Sequence, residues 1–139
     1  MVSCVKVDSS AFLADQELIE ALQKRSVPVV CGEDRTLFRQ GDAPSGLYIL
    51  HKGDATLTME TSSGKVVLCI QPSDGSLLGL PGLVGNEPYS MSANASKGSE
   101  LSFVARKDFD DLMQSDPSLL LRVLHVLAAE VRSARHALL

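Results

Sequence analysis

The sequence predicts an α+β, mainly β domain: a double-stranded β-helix (jelly roll) with flanking helices and a long C-terminal helix. Residues 47–70 contain short apolar or alternating segments with glycines at the corners, which is typical of consecutive strands. Residues 93–104 form a second β-like region, and a glycine-rich segment, 75–95, lies between the two. Residues 116–139 carry apolar positions at helical spacing.

The composition fits one domain without metal or disulfide support. The chain has 139 residues, 45% hydrophobic and 22% charged, which is enough to bury a core. Its formal net charge of −4 gives no electrostatic reason to expect nucleic acid binding. With no long apolar run and no secretory core, the sequence predicts a cytoplasmic protein. Cys4, Cys31 and Cys69 lack metal-ligand spacing, and we expect no metal and no cofactor beyond a small-molecule effector.

We expect a loosely specified arm over residues 1–14 and one domain over residues 15–139. The domain begins with a short amphipathic helix, DQELIEALQKR, in which Asp15 stands at the N-cap. The apolar face of this helix consists of Leu18, Ile19 and Leu22. The segment VPVVC, which contains the helix-breaking Pro28, predicts the first strand.

The central part of the chain predicts a β-meander. In residues 37–53, a Gly-Asp turn and a Pro-Ser-Gly turn precede a short apolar strand, and a glycine follows it. Residues 55–60 alternate between apolar and polar side chains, which indicates a half-buried strand. A TSSG turn leads to a partner strand, KVVLCI, so we expect residues 47–70 to form one meander.

The glycine-rich segment 75–95, GSLLGLPGLVGNEPYSMSANA, is too interrupted for a long helix and too irregular for a plain strand. Backbone N–H groups of such a segment can converge on an anion or a polar ligand, helped by the N-terminus of a short helical turn. The alternative is a long surface loop with turn chemistry.

The spacing of Gly41-Asp42, Leu47-Tyr48-Ile49-Leu50 and Gly53 resembles the cyclic-nucleotide-binding domain of CRP/FNR regulators and kinase regulatory subunits. The resemblance runs from about Glu20 to the C-terminus. The order of elements is also similar: a short helix, a β-roll interrupted by a ligand cassette, a short helix and one long helix. The resemblance therefore implies a cyclic-nucleotide-binding-like jelly roll.

In that family the cassette opens with Gly-Glu, whose glutamate holds the ribose, and closes with Pro-Arg, whose arginine pairs with the cyclic phosphate. In this chain the opening falls at Gly79-Leu80 and the closing at Pro88-Tyr89-Ser90. The resemblance thus implies a cassette altered at both anchors. The candidate ligand-binding residues are Gly79, Leu80, Pro81, Gly82, Leu83, Tyr89, Ser90, Met91 and Ser92.

The two departures weaken the case for cyclic AMP. Hydrogen bonds to charged groups contribute roughly 1.5–3 kcal/mol each, so losing both anchors lowers affinity by about two to four orders of magnitude. No lysine or arginine lies between Lys65 and Lys97 to replace the charge. We expect a cavity suited to a less charged or more apolar effector. The expected lining is Leu78, Leu80, Leu83, Tyr89 and Met91.

The C-terminal segment predicts a long helix over residues 116–139, because Asp116 is a cap and Pro117 fits the first helical position. An unbroken heptad seam runs along it: Leu120, Leu124, Leu127, Val131, Ala134 and Leu138. A second stripe, formed by Leu119, Val123 and Val126, turns polar at Glu130 and Ser133. We expect the second stripe to pack on the roll and the seam to pair with a second copy. Burial of both stripes in one core is the alternative.

The resemblance extends to this helix, which in the family forms the dimer interface and reaches the ligand base. The corresponding positions fall near Ala134 and Arg135, and alanine cannot donate a hydrogen bond. We predict an effector-sensing and dimerisation domain of a CRP/FNR-like transcription regulator. The alternatives are a ligand-free dimerisation or partner-docking module and a true cyclic-nucleotide-binding protein. No catalytic motif is present, and without a recognition helix we expect no DNA binding by this chain alone.

Overall fold

The computed structural model describes residues 12–137, apart from the side chains of residues 134, 136 and 137. The strands in this part of the chain are β1 (Val27–Val30), β2 (Arg35–Phe38), β3 (Gly46–Lys52), β4 (Ala55–Glu60), β5 (Val66–Ile70), β6 (Leu77–Leu78), β7 (Ser92–Ala95) and β8 (Glu100–Ala105). The helices are α1 (Gln16–Gln23), α2 (Leu80–Gly85), α3 (Arg106–Ser115) and α4 (Ser118–Ala137). None of the helices within residues 12–137 is long and apolar enough to cross a bilayer.

The predicted arm is described only at its end, because residues 1–11 lie outside the described residues. Phe12 is buried, and Leu13 forms an isolated β-bridge with Ser76. These residues therefore lie against the domain next to the cassette.

The strands form two antiparallel four-stranded sheets. One sheet has the order β1-β8-β3-β6, and the other has the order β2-β7-β4-β5. Most neighbouring strands are distant in sequence, which is the pairing of a jelly roll. The predicted fold class, a mainly β jelly roll with flanking helices and a long C-terminal helix, is confirmed.

The predicted meander over residues 47–70 is wrong. Strand β3 pairs with β6 and β8, whereas β4 pairs with β5 and β7 in the other sheet. Among the described strands, only β4 and β5 are consecutive and paired. The chain changes sheets at Gly53, which has a φ of 121°. A Cβ there would lie 2.4 Å from Ser99 Oγ, so glycine alone fits this corner.

Strand β3 is buried over its first five residues, whereas a meander strand with one solvent face would alternate between buried and exposed residues. Tyr48 and Leu50 face the core between the two sheets, whereas Leu47 and Ile49 face a second core beneath the helices. A strand covered on both faces reads as an unbroken apolar run rather than an alternating one. The domain is thus a roll with one internal core and one core between the roll and its helices.

Helix α1 begins as predicted. The Asp15 carboxylate accepts a hydrogen bond from the Leu18 N–H over 2.8 Å, and Leu18 and Leu22 are buried. Arg122 of α4 pairs with Asp15 over 3.0 Å and with Glu17 over 2.5 Å, which ties the first helix to the last. Burial acts to raise the pKa of Asp15, but the Leu18 N–H and the Arg122 guanidinium outweigh it and hold that pKa below its ordinary value.

Helix α4 presents two different faces. Leu119, Val123 and Val126 are buried in the core beneath the helices, as expected of the second stripe. On the seam, Leu120 and Leu124 remain 45% and 56% exposed in the single chain. The core of one chain therefore covers the second stripe of α4 but leaves Leu120 and Leu124 of the seam largely exposed.

Candidate functional site

A cavity of about 250 Å³ lies where the roll, the cassette and α4 meet. The sheets contribute an apolar wall of Phe38, Leu57, Met59, Leu68, Ile70 and Leu77. The cassette contributes Gly79, Pro81, Gly82, Tyr89, Ser90 and Met91. Phe12, Glu130 and Val131 complete the lining. A concave site with a mostly apolar wall and few polar groups is typical of small-molecule binding, although this cavity is slightly smaller than most such sites.

Six of the nine predicted ligand-binding residues line this cavity, and three do not. Leu80 is fully buried in the core beneath the helices, because α2 turns its apolar face toward that core. Leu83 lies in the same core and lines a separate groove with Phe109 and Leu120. The Ser92 hydroxyl oxygen accepts a hydrogen bond from the Gln40 N–H over 2.9 Å. Leu78, also expected in the lining, is fully buried in the internal core.

The cassette backbone is closely packed where the ligand loop was predicted. Gly79 has a φ of 93°, and a Cβ there would lie 3.0 Å from the Tyr89 ring. At Gly82, a Cβ would lie 3.0 Å from the Glu87 carbonyl oxygen. Helix α2 is only six residues long, and Pro81 in its first turn has no N–H to offer an anion. The glycines thus allow the cassette backbone to pack closely against its neighbours. Because Pro81 lacks an N–H, the first turn of α2 offers an anion one donor fewer.

The Tyr89 side chain is held by hydrogen bonds and stacking contacts within the domain. Its hydroxyl oxygen accepts hydrogen bonds from the N–H groups of Ser45 and Gly46, each over 3.1 Å. The same hydroxyl donates to the Gly46 carbonyl oxygen over 2.6 Å. The ring stacks on Phe38 with centroids 4.0 Å apart, and the residue is only 3% exposed. Tyr89 therefore offers the cavity a ring surface, and its phenolic proton is already used.

Glu130 is a candidate site residue that the sequence analysis did not select. Its side chain lines the cavity, and Oε1 is buried without a hydrogen-bond partner among the described residues. Burial raises the pKa of this carboxyl to about 8. At pH 7 the group is therefore mostly a neutral acid. Its position four residues after the buried Val126 was the available signal.

The charge pattern of the cavity is unsuited to a bound anion. Among the described residues that line it, Glu130 carries the only acidic or basic side chain. No lysine, arginine or histidine is in that lining. A phosphate placed here would have no countercharge and would lie near a carboxyl group.

The seam residues of α4 lie in two environments. Leu120, Leu124 and Val131 are 45%, 56% and 50% exposed, whereas Leu127 packs partly on the core beneath the helices. Val131 belongs to the seam and also lines the cavity. The Ala134 side chain and Leu138, the last two predicted seam positions, lie outside the described residues.

No grouping of three or more His, Cys, Asp or Glu side chains with metal-site geometry is found among the residues that the structure describes. His51 on β3 bonds through Nε2 to Ser102 Oγ on β8 over 2.6 Å. Its role is therefore explained by packing within the first sheet.

Comparison with known proteins places this geometry in context. A family model described as the cyclic nucleotide-binding domain matches residues 28–116. The chain is 25% identical over 127 residues to the transcriptional activator protein FnrA of Stutzerimonas stutzeri, covering 91% of this chain and 51% of FnrA. The chain thus spans about half the length of that relative.

Solved structures agree with this match. The catabolite activator protein of Thermus thermophilus is 26% identical, with a TM-score of 0.65 over 88% of this chain and 56% of that chain. The c-di-GMP-responsive global regulator CLP of Xanthomonas campestris has a TM-score of 0.70. CLP is 18% identical over 88% of this chain and 63% of its own, a likeness that concerns the fold alone.

Proposed function

The chain belongs to the cyclic nucleotide-binding domain family of CRP/FNR-type regulators, and on this premise we propose that it senses an effector other than an ordinary cyclic nucleotide. The supporting observation is the cavity itself: it sits at the family's cassette, but its described lining is apolar and holds no cation. The relatives named above are regulators rather than enzymes, so sensing is the activity we assign.

Two features of the cavity support a changed effector. Leu80 and Tyr89 stand at the positions where the resemblance places the family's glutamate and arginine. Leu80 is buried in a core, and the Tyr89 hydroxyl is hydrogen-bonded to the backbone of Gly46. The only acidic or basic group in the described lining, Glu130, is an acid and therefore offers a phosphate no countercharge. A less charged molecule would meet apolar side chains and lose little hydration energy.

We further propose that the chain forms a homodimer through α4. An exposed apolar seam is unusual on a monomer, and the heptad spacing of Leu120, Leu124, Leu127 and Val131 matches helix pairing. The second stripe is already buried against the body of the domain, so the seam is free to face a second copy. Residues 116–139 are thus the proposed dimerisation segment of a domain that we place over residues 15–139.

The signal is proposed to pass through Val131. A molecule in the cavity would touch this residue, which follows Leu124 and Leu127 along the seam. Occupancy would favour one of two packings of the paired helices, so the mechanism is a population shift. The coupling can be no larger than the difference in the ligand's affinity for the two packings.

Replacing Leu124 with aspartate is expected to convert the dimer to a monomer. The substitution places a charge in the middle of the seam, where an unpaired buried carboxylate opposes association strongly. Sedimentation equilibrium measures the change, and His125→Asp is the matched control. His125 is exposed on α4 and lies outside the seam and the positions that flank it, so this variant should remain dimeric. A dimeric Leu124→Asp variant would contradict the proposed interface. Leu127 is a poorer probe, because it also packs on the core.

A thermal melt with nucleotides and small metabolites tests effector binding. A ligand at about 100 times its dissociation constant adds about 2.7 kcal/mol of stability and raises the midpoint by several degrees. A rise with a compound other than a cyclic nucleotide would support the proposal. An unchanged melting midpoint with every compound of a broad panel would favour the second candidate, a ligand-free dimerisation or docking module. The burial of Leu80 and Tyr89 is the observation that favours this candidate.

A further inference from the structure

Glu130 introduces one ionisable group into an otherwise apolar cavity. Its Oε1 has no hydrogen-bond partner among the described residues. A buried polar atom without a partner lowers stability, so native proteins rarely leave one unless a ligand or another group completes it. Because this oxygen belongs to a cavity-lining side chain, a bound molecule can reach the Glu130 carboxyl.

The rest of the wall determines what else such a molecule must be. The strands β2, β4, β5 and β6 and residue Phe12 contribute apolar side chains to the cavity. The only other titratable group in the described lining is the Tyr89 phenol, whose hydroxyl is occupied at Gly46. Ser90, the remaining polar side chain, is exposed to solvent. A ligand that satisfies Glu130 must therefore bury an apolar body against the sheets and hydrogen-bond to the Glu130 carboxyl on α4.

On the strength of the proposed function, we propose that the cavity takes a small apolar molecule bearing a primary amine, with the Glu130 carboxylate as its anchor. An ammonium group supplies three donors and the opposite charge, and charge-assisted hydrogen bonds are stronger than neutral ones. The adjacent Val131 would carry the effect of occupancy to the helix seam. An acid of the same shape could accept one hydrogen bond from the protonated carboxyl, but the described lining holds no cation to balance its charge.

Proton release is the distinctive consequence of this arrangement. Burial keeps the carboxyl mostly protonated at neutral pH in the empty cavity, because its pKa is about 8. Pairing with an ammonium ion favours the carboxylate, so each binding event at pH 7 should release close to one proton. Amine affinity should rise by about tenfold per pH unit below that pKa and level off above it.

The test compares three probes that share one apolar body: 2-phenylethylamine, 2-phenylethanol and phenylacetate. Isothermal titration of the full chain at pH 7, in two buffers of different ionisation enthalpy, measures both affinity and protons released. We expect the amine to bind about ten- to a hundredfold more tightly than the alcohol, and phenylacetate to bind more weakly still. Glu130→Gln should weaken the amine by a similar factor and abolish its proton release.

Glu87→Gln is the matched control, because Glu87 is an exposed cassette carboxylate outside the cavity lining. This variant should bind the amine as the unmodified chain does. Equal amine affinity in Glu130→Gln, binding without proton release, or no amine binding at all would each overturn the assignment. If the alcohol or phenylacetate bound while the amine did not, the cavity would still be an effector site. Only the assignment of Glu130 as an amine anchor would then be wrong. If no compound of the wider ligand panel raised the melting midpoint, the proposed effector-sensing function itself would be contradicted.

Discussion

Replacing Tyr89 with phenylalanine is expected to lower the free energy of unfolding by about 2 to 3 kcal/mol. The substitution removes a hydroxyl that accepts from two backbone N–H groups and donates to the Gly46 carbonyl oxygen. Buried groups left without partners cost about 1–3 kcal/mol, and the stacking on Phe38 remains. Urea denaturation monitored by circular dichroism measures the difference.

Tyr48→Phe is the matched control for this prediction. Tyr48 is also buried and aromatic, but the one hydrogen bond of its hydroxyl within the described part of the chain is long, at 3.5 Å to the Leu37 carbonyl oxygen. We expect this variant to lose less than about 1 kcal/mol. Similar losses in both variants would contradict the framework role of Tyr89 and reopen the possibility that its phenol faces a ligand.

Replacing Glu130 with leucine is expected to stabilise the ligand-free chain and to remove most of its pH dependence at neutral pH. Burial raises the pKa of this carboxyl from an ordinary value of 4.5 to about 8. Between those two pH values the native state binds more protons than the unfolded state, so stability falls as pH rises. The loss amounts to about 3 kcal/mol between pH 4.5 and pH 7, and it stops growing above pH 8.

Denaturant melts of the two chains at pH 5, 6.5 and 8 would check this prediction. The variant should be more stable than the unmodified chain at pH 8, and the difference should shrink toward pH 5. Glu87→Gln serves again as the control, since an exposed carboxylate has little effect on the slope. Curves that run parallel for Glu130→Leu and the unmodified chain would show that the carboxyl is ionised in water rather than held in the cavity.

The fold was largely predictable because its signals are local. Asp15 caps the first helix, a TSSG turn closes the β4–β5 hairpin, and the pattern of Leu119, Val123 and Val126 identifies the buried face of α4. Strand partners were not predictable in the same way. The pairing of β3 with β8 joins segments far apart in sequence, so it depends on the closure of the whole roll.

The site was only partly predictable, for a related reason. A position in a motif shows which residue is present, but the partners of Tyr89 are Ser45 and Gly46, more than forty residues earlier. In the sequence, Glu130 is simply the point at which an apolar stripe turns polar. That its side chain lines a cavity is visible only in the tertiary structure. The family anchors were thus predicted to be altered, and the group that gives the cavity its present chemistry was found from the structure.

Calorimetric titration of the chain with cyclic AMP and cyclic GMP at pH 7 is the most direct test of the central claim, that this cavity no longer serves an ordinary cyclic nucleotide. With no cation in the described lining and an acid on α4, we predict no saturable binding up to about 1 mM, which corresponds to less than about 4 kcal/mol of binding free energy. Saturable binding in the micromolar range, accompanied by a higher melting midpoint, would contradict the claim and make the chain a true cyclic-nucleotide sensor.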